Sequence, residues 1–517
     1  HAAWGTIESK YDALLGANLH PDVPVDRRMM LIRCRAWLVF QGYSQEISID
    51  ALAAFYCDSD TGCRWKFSIP SGQGQHVILD AAAAMIENRN QVEIFFTRRM
   101  IENRTDQLPG HKPVTLIVRP DIDDRSFHDN TKAYRGPEHT WPDQCRQRNR
   151  GFYFQPDPNH GLDMEASSGV FVWEPEWQYM AYLPLEADRG MDAQTDLFSP
   201  GYFKISLTGD ETVRLRASAD ADPSSPLDQS NPDFLPLPAE SSDSSLKAED
   251  AMTAALKHYV VRREDLKTVI AGYPWFLDWG RDTLIAARGL IAAGMTAQTG
   301  PILKQFARFE QNGTLPNMIR GDNAENRDTS DAPLWFFVAC DEFISASNDP
   351  DFLEARCGRR KIRNILVSIA ESYMAGTPNG IRMDRDSGLI FSPAHFTWMD
   401  TNFPAGTPRM GYPVEIQALW HYALRFLSRI DIDSRRSRWN EAAEKVEHAL
   451  RERFYREKDG YLSDCLHANH GVRAADAVAD DALRSNQLYA VTLGAVSDID
   501  MIRGIVHSCE AIIVPGA

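Results

Sequence analysis

GYPWFLDWGRDTLIAARGL, residues 272–290, gathers Trp275, Asp278, Trp279, Arg281 and Asp282 at the mouth of an apolar helix. That mixture suits a sugar. Aromatic faces cover the C–H surface of a pyranose, while Arg and Asp hydrogen-bond its hydroxyls in fork geometry. The same residues also read as a buried tryptophan pair beside a structural ion pair. Two further stretches repeat the design: GTLPNMIRGDNAENRDTSDAPLWFF, residues 313–337, and FTWMDTNFPAGTPRMGYPVEIQALWHYAL, residues 396–424. Each runs from a polar loop rich in Gly, Pro, Asp and Asn into an apolar helix, with Asp331, Trp335, Asp400, Arg409 and Glu415 at or near the junction.

Working outward, the apolar period is 3.6 from Leu246 onward. Leu419, Tyr422, Ala423, Phe426 and Leu427 share one helical face, as do Trp439, Ala443, Val446, Leu450 and Phe454. Helices are expected near 246–263, 282–293, 299–311, 331–347, 361–375, 413–429, 436–455, 484–495 and 498–512. Short turns alternating with long polar loops suit helical hairpins whose loops build one pocket. Between 31 and 217 the period is two: Val92, Ile94 and Phe96, then Val114, Leu116 and Val118, then Phe203, Ile205 and Leu207 alternate with polar neighbours. Short strands separated by turn signals predict an antiparallel β-sandwich, with a hairpin across Gly209-Asp210-Glu211 into TVRLRA. Residues 218–245, rich in Pro and Ser, cannot bury a core and read as a linker. Residues 1–30 read as a helical or linker lead-in.

A chain of 517 residues predicts two large domains, and 43% hydrophobic with 25% charged residues is the balance of a globular protein. A net charge of -17 argues against nucleic acid or an anionic membrane as partner, whereas a neutral polysaccharide makes no such demand. No apolar run approaches a membrane span. Of the eight cysteines, Cys57 and Cys63 lie closest, with no CxxC spacing and no HExxH; they read as mostly reduced thiols, with a cytosolic home and no metal or other cofactor expected.

Together the three loop-to-helix stretches resemble the α-1,6-glucosidase part of glycogen debranching enzymes, whose segments read much like DWGRD, LPN followed by D-A-x-L-W, and TWMD followed by TPR-x-G-x-PVEI-x-ALW. More distantly they resemble glucoamylases. The resemblance implies a β-sandwich followed by an (α/α)6 barrel over 246–517, and VTLIVRPDIDDRSFHD, residues 114–129, is similar to the domain preceding the barrel in bacterial and archaeal-type debranching proteins. It further implies inverting removal of single α-1,6-linked glucose branches from glycogen or limit dextrin. The inverting reaction needs an acid and a base standing roughly 6.5–9.5 Å apart. Asp400 matches the family's acid, and Phe396, Trp398 and Met399 are expected to desolvate it and raise its pKa. Arg281 and Asp282 match the pair that holds the terminal glucose, with Trp275 and Trp279 as walls; Asn317, Asp331, Trp335, Trp398, Arg409 and Glu415 are further candidates for the pocket lining. Asn317, Asp331, Arg409 and Glu415 read alternatively as turn, cap or an Arg409–Glu415 ion pair.

The family's base is a glutamate close to its C-terminus, and no matching motif precedes Ala517. The chain therefore reads as a fragment with a barrel incomplete at its C-terminus, inactive by itself and prone to self-association through exposed helix faces. Glu415 is the fallback base. Two rivals stay open: a glucosidase of glucoamylase-like or trehalase-like preference, and a noncatalytic glucan-binding module.

Overall fold

The computed structural model describes residues 4–20, 22–24, 27–58, 62–86, 88–219, 248–401, 406–431 and 435–514. The chain divides into two compact units, residues 1–254 and 255–517. Most of the 218–245 linker lies outside the described residues; Ser218 itself ends a strand.

In the first unit, one antiparallel sheet runs Leu15–Asn18, Arg27–Phe40, Val114–Ser126, Gln194–Leu207, Val170–Tyr182, with Tyr43–Glu46 also paired to Arg27–Phe40. A second runs Leu52–Asp58, Gly62–Gly72, Gln75–Met85, Gln91–Arg99, Thr212–Ser218, His160–Ala166, Gly151–Asp157, Cys145–Arg148. Alternation decides which residues turn inward: Leu116, Val118, Phe203 and Ile205 from the first sheet and Phe67, Ile94, Phe96 and Leu215 from the second join one buried cluster.

Two expectations are corrected here. Gly209-Asp210-Glu211 does not close a hairpin, because Gln194–Leu207 and Thr212–Ser218 lie in different sheets and the turn carries the chain between them. Both Leu207 and Val213 still reach the shared core, so inward alternation is satisfied without pairing the two strands. Nor do the described residues of the lead-in form a helix. Asp12 accepts the Glu8 and Ser9 amides at 2.7 and 3.0 Å, closing a turn, and Leu15–Asn18 is already a strand. Trp4 is 4% exposed and packs edge-on against Trp65 and Phe96, at 5.1 and 5.6 Å between ring centres. Burying an indole outweighs the weak helical preference of a segment this short.

Cys57 and Cys63 are register partners across an antiparallel pair and form a disulfide, the exception to the expectation of mostly reduced thiols. Their Cα atoms stand 4.2 Å apart, within bonding reach of a cross-strand pair. Cys34, Cys145, Cys340, Cys357, Cys465 and Cys509 are free.

The second unit is helical. Its helices are α1 (Ala248–Tyr259, straddling the division), α2 (Gly280–Ala292), α3 (Thr296–Arg308), α4 (Ala332–Ser347), α5 (Ile362–Ala375), α6 (Val414–Ile430), α7 (Arg436–Ala449), α8 (Leu488–Thr492) and α9 (Ile499–Glu510). Each span expected to be helical holds one of them, shortened most at 484–495. Alternate helices touch in series: α2 packs on α4, α4 on α6, and α6 on α8, while α3, α5, α7 and α9 pack beside them. Of the alternate helices, α4 and α6 are enclosed along most of their length. Every residue of α4 from Ala332 to Cys340 is buried, and α6 buries Val414 to His421 without a break. The one-sided face expected for α6 is therefore the core side of a helix enclosed by others. Among the described residues no helix is long and apolar enough to cross a membrane.

Candidate functional site

The site is assembled where polar loops enter α2, α4 and α6. Residues 278–279 pair with 318–319 as a two-residue ribbon, and the Gly280 amide donates to the Asn317 carbonyl at 2.8 Å. A Cβ on Gly280 would stand 2.2 Å from the Pro316 carbonyl oxygen, so only glycine lets the 279–280 backbone pass this loop. Arg281 and Asp282 follow in the first turn of α2, where a carboxylate also complements the helix dipole.

Arg281 is 9% exposed and joins two loops. Its Nε donates to Asp331 at 2.5 Å and its Nη1 to Asp400 at 3.3 Å, while its buried Nη2 has no partner among the described residues. Asp331 stands at the N-cap of α4, yet its side chain does not cap; it accepts from Arg281 and from the Thr329 hydroxyl at 2.6 Å. Asn317 is 7% exposed, and its Oδ1 is likewise buried without a partner. An orphaned buried donor or acceptor costs about 1–3 kcal/mol, so such a pair of atoms is poised to take a ligand hydroxyl or a water.

Asp282 lies open to solvent but low among neighbouring atoms. That desolvation pushes its carboxyl above the usual range against the pull of Arg281, and the charges of Asp331 and Asp400 add to the rise. Trp279 is half-buried, and Trp275 is 46% exposed in the turn before it. Asp278 is not part of this group: Arg263 grips it at 2.7 and 3.0 Å and Thr268 donates at 3.2 Å, all within the core.

Asp400 differs from expectation. Its side chain is 38% exposed and is held by Arg281, so the desolvating cover predicted from Phe396, Trp398 and Met399 is not in place. The Trp398 ring is turned outward, half-exposed, with its indole N–H donated to Asn486 Oδ1 at 2.9 Å. Trp335 is 3% exposed, edge-on to Tyr489 and covered by Arg288, and so presents no open face to a sugar.

Arg409 and Glu415 form the ion pair that the sequence offered as their alternative reading. Arg409, 1% exposed with φ of 45°, gives both terminal nitrogens to Glu415, Nη1 also to Thr397 at 3.1 Å, and Nε to Asp464 at 2.8 Å. Burial pushes the Glu415 carboxyl up and the Arg409 guanidinium pulls it back. Asp464 also accepts from Arg484 at 2.9 Å and Asn486 at 2.7 Å. Sequence reasoning missed Asp464, Arg484 and Asn486. The one usable signal was arithmetic: a guanidinium carries five N–H donors, and a lone Glu415 leaves donors unspent in a buried place. Thr397 and Asp400 tie this buried network to Arg281 through the TWMD loop, while Ser330 donates its amide to the Phe396 carbonyl at 2.7 Å. Among the described residues no group of three His, Cys, Asp or Glu side chains is placed to hold a metal ion.

Residues 253–503 match the profile described as amylo-alpha-1,6-glucosidase, and residues 1–214 match the one described as glycogen debranching enzyme N terminal. A glycogen debranching enzyme of Saccharomyces cerevisiae is 24% identical over 224 residues, which cover 32% of this chain and 14% of the yeast protein. Among solved structures, a bacterial glucoamylase complexed with acarbose superposes with a TM-score of 0.49 at 11% identity, covering 98% of this chain and 78% of that one. The two profiles match the two units in order and between them cover nearly all the described residues, and the chain belongs to the glycogen debranching enzyme family.

Proposed function

We propose that the helical unit carries an amylo-α-1,6-glucosidase site that removes single α-1,6-linked glucose branches from a glycogen-type α-glucan by inversion. The observation that carries the reading is Arg281: pinned by Asp331, extended to Asp400, and with its buried Nη2, like Asn317 Oδ1, without a hydrogen-bond partner among the described residues. Asp282, at the same helix start, supplies an exposed acceptor, with Trp275 and Trp279 as walls. Asp400 is the acid. A bound sugar lying over it would supply the desolvation that the free site lacks. Inversion requires a second carboxylate on the opposite side to activate water. Glu415 is unsuited to that work, since both its oxygens are taken by Arg409 in the core. The serial contacts of alternate helices support an (α/α) barrel arrangement, and the two sheets around one cluster support a β-sandwich.

The locked state of Glu415 favours one other reading, a glucan-binding module without turnover. Incubation of limit dextrin with a form of the protein that supplies the second carboxylate, followed by proton NMR of the first glucose released, separates the two. The glucosidase reading expects β-glucose first, and turnover that falls with Asp400→Asn. Binding of isomaltose with no release would support the module, and release of α-glucose would overturn inversion.

A further inference from the structure

We propose that Asn486 is a positioning residue that sets Trp398 as the wall for the sugar on the leaving-group side of Asp400. The inference rests on the glucosidase reading above. Trp398 lies two residues before the acid on the same loop and is 51% exposed, an unusual state for the largest apolar residue. The indole is nevertheless fixed. Its N–H donates to Asn486 Oδ1 at 2.9 Å, and Asn486, 3% exposed, is itself fixed because its Nδ2 donates to Asp464 Oδ1 at 2.7 Å.

This network settles the amide's orientation. A carboxylate can only accept and an indole N–H can only donate, so the oxygen must face Trp398 and the nitrogen Asp464. Asp464 is in turn held by Arg409 and Arg484, which anchors the chain of contacts to the N-terminal end of α6 and to residues 478–480. An exposed ring on a buried, charge-anchored hinge is a preorganised platform: its solvated face loses no rotamer freedom when a ligand stacks on it. The acid must reach the glycosidic oxygen, so a wall beside it meets the departing sugar, while Arg281 and Asp282 hold the terminal glucose.

The test uses the full chain and two variants. Trp398→Phe keeps a smaller aromatic ring and deletes the indole N–H together with the rest of the five-membered ring; Asn486→Ala deletes the acceptor and leaves Asp464 its two arginines. Incorporated 5-fluorotryptophan reports the Trp398 environment by fluorine NMR, the resonance being assigned by its loss in Trp398→Phe. Calorimetry then compares isomaltose, which spans both sides of the scissile bond, with glucose, which fills only the terminal site. The expected result is a displaced or broadened Trp398 resonance in Asn486→Ala, isomaltose bound about three- to tenfold more weakly by either variant, and glucose unchanged. The double variant should be about as weak as Trp398→Phe alone, since the indole–amide hydrogen bond is already absent there. An unmoved resonance, or equal weakening of both sugars, overturns the positioning role and leaves the glucosidase reading standing. Failure of the parent chain to bind isomaltose would overturn the glucosidase reading and the sugar-facing role of Trp398 together.

Discussion

Replacing Arg409 by Met keeps the length of the side chain and removes the charge from the most connected side chain around the site. Arg409 is 1% exposed and serves Glu415, Asp464 and Thr397 at once. Without it Asp464 retains Arg484 and Asn486, at 2.9 and 2.7 Å, but among the described residues no other side chain donates to Glu415. The dominant effect is thus one carboxylate left buried and unpaired, which costs about 3–5 kcal/mol. For a helical unit of this size that lowers Tm by roughly 6–20 °C, read by circular dichroism at the helical band. Glu415→Gln should cost less, about 1–3 kcal/mol, because Arg409 keeps Asp464 as counter-charge. The pH dependence carries the sign. Burial already pushes the Glu415 carboxyl up, and losing Arg409 removes the charge that pulls it back. The folded variant then binds a proton that the unfolded chain has released, so its stability falls as pH rises. The deficit of Arg409→Met relative to the parent should therefore be smaller near pH 5 than near pH 8, by about 1 kcal/mol or more. An unchanged Tm, a Glu415→Gln variant worse than Arg409→Met, or a deficit that grows toward acid pH would refute this account.

Asp400→Asn keeps the hydrogen bond to Arg281 and removes the transferable proton; in a form of the protein that supplies the second carboxylate, glucose release from limit dextrin should fall at least about 100-fold with Tm unchanged, and retained turnover would exclude Asp400 as the acid. Asp282→Ala leaves Arg281 paired with Asp331 and Asp400, so its effect is confined to one sugar acceptor: about tenfold in kcat/KM, with no loss in thermal melting. Asp278→Asn strips Arg263 of its counter-ion in the core and should destabilise the helical unit by about 3–5 kcal/mol in urea unfolding without altering a sugar-binding group. In the first unit, burial pushes the Asp123 carboxyl up to about 6, despite Arg125 and Thr131. The folded state therefore keeps a proton that the unfolded chain loses near pH 4, and the difference in unfolding free energy between Asp123→Asn and the parent should drift by about 3 kcal/mol across that window, in favour of the variant as pH rises.

The loop-to-helix junctions were legible because each carries its signal locally: a polar stretch, then an apolar run at helical spacing. The strands at 91–99 and 114–126 were legible for the same reason, since period two is written in neighbouring residues. The hairpin at 209–211 was misread because a short turn is compatible both with pairing two strands and with passing between sheets. Likewise the Trp4 segment had helical spacing but no information about the indole-sized space beside Trp65 and Phe96.

At the candidate site, sequence alone determined which residue types meet: the WGRD start of α2, the TWMD loop, and the Arg409–Glu415 pair as one of its alternatives. Tertiary structure decided their allegiance. Arg281 turns to Asp331 and Asp400, respectively 50 and 119 residues away, and not to the Asp282 beside it. Trp335 is buried while Trp398 is exposed, although both are tryptophans in motif segments. Asp464, Arg484 and Asn486 enter only because the fold brings separate turns against the back of the TWMD loop. The physical reason is that helix and strand period depend on neighbours a few residues apart, whereas hydrogen-bond partners and solvent exposure depend on what other parts of the chain leave open or cover.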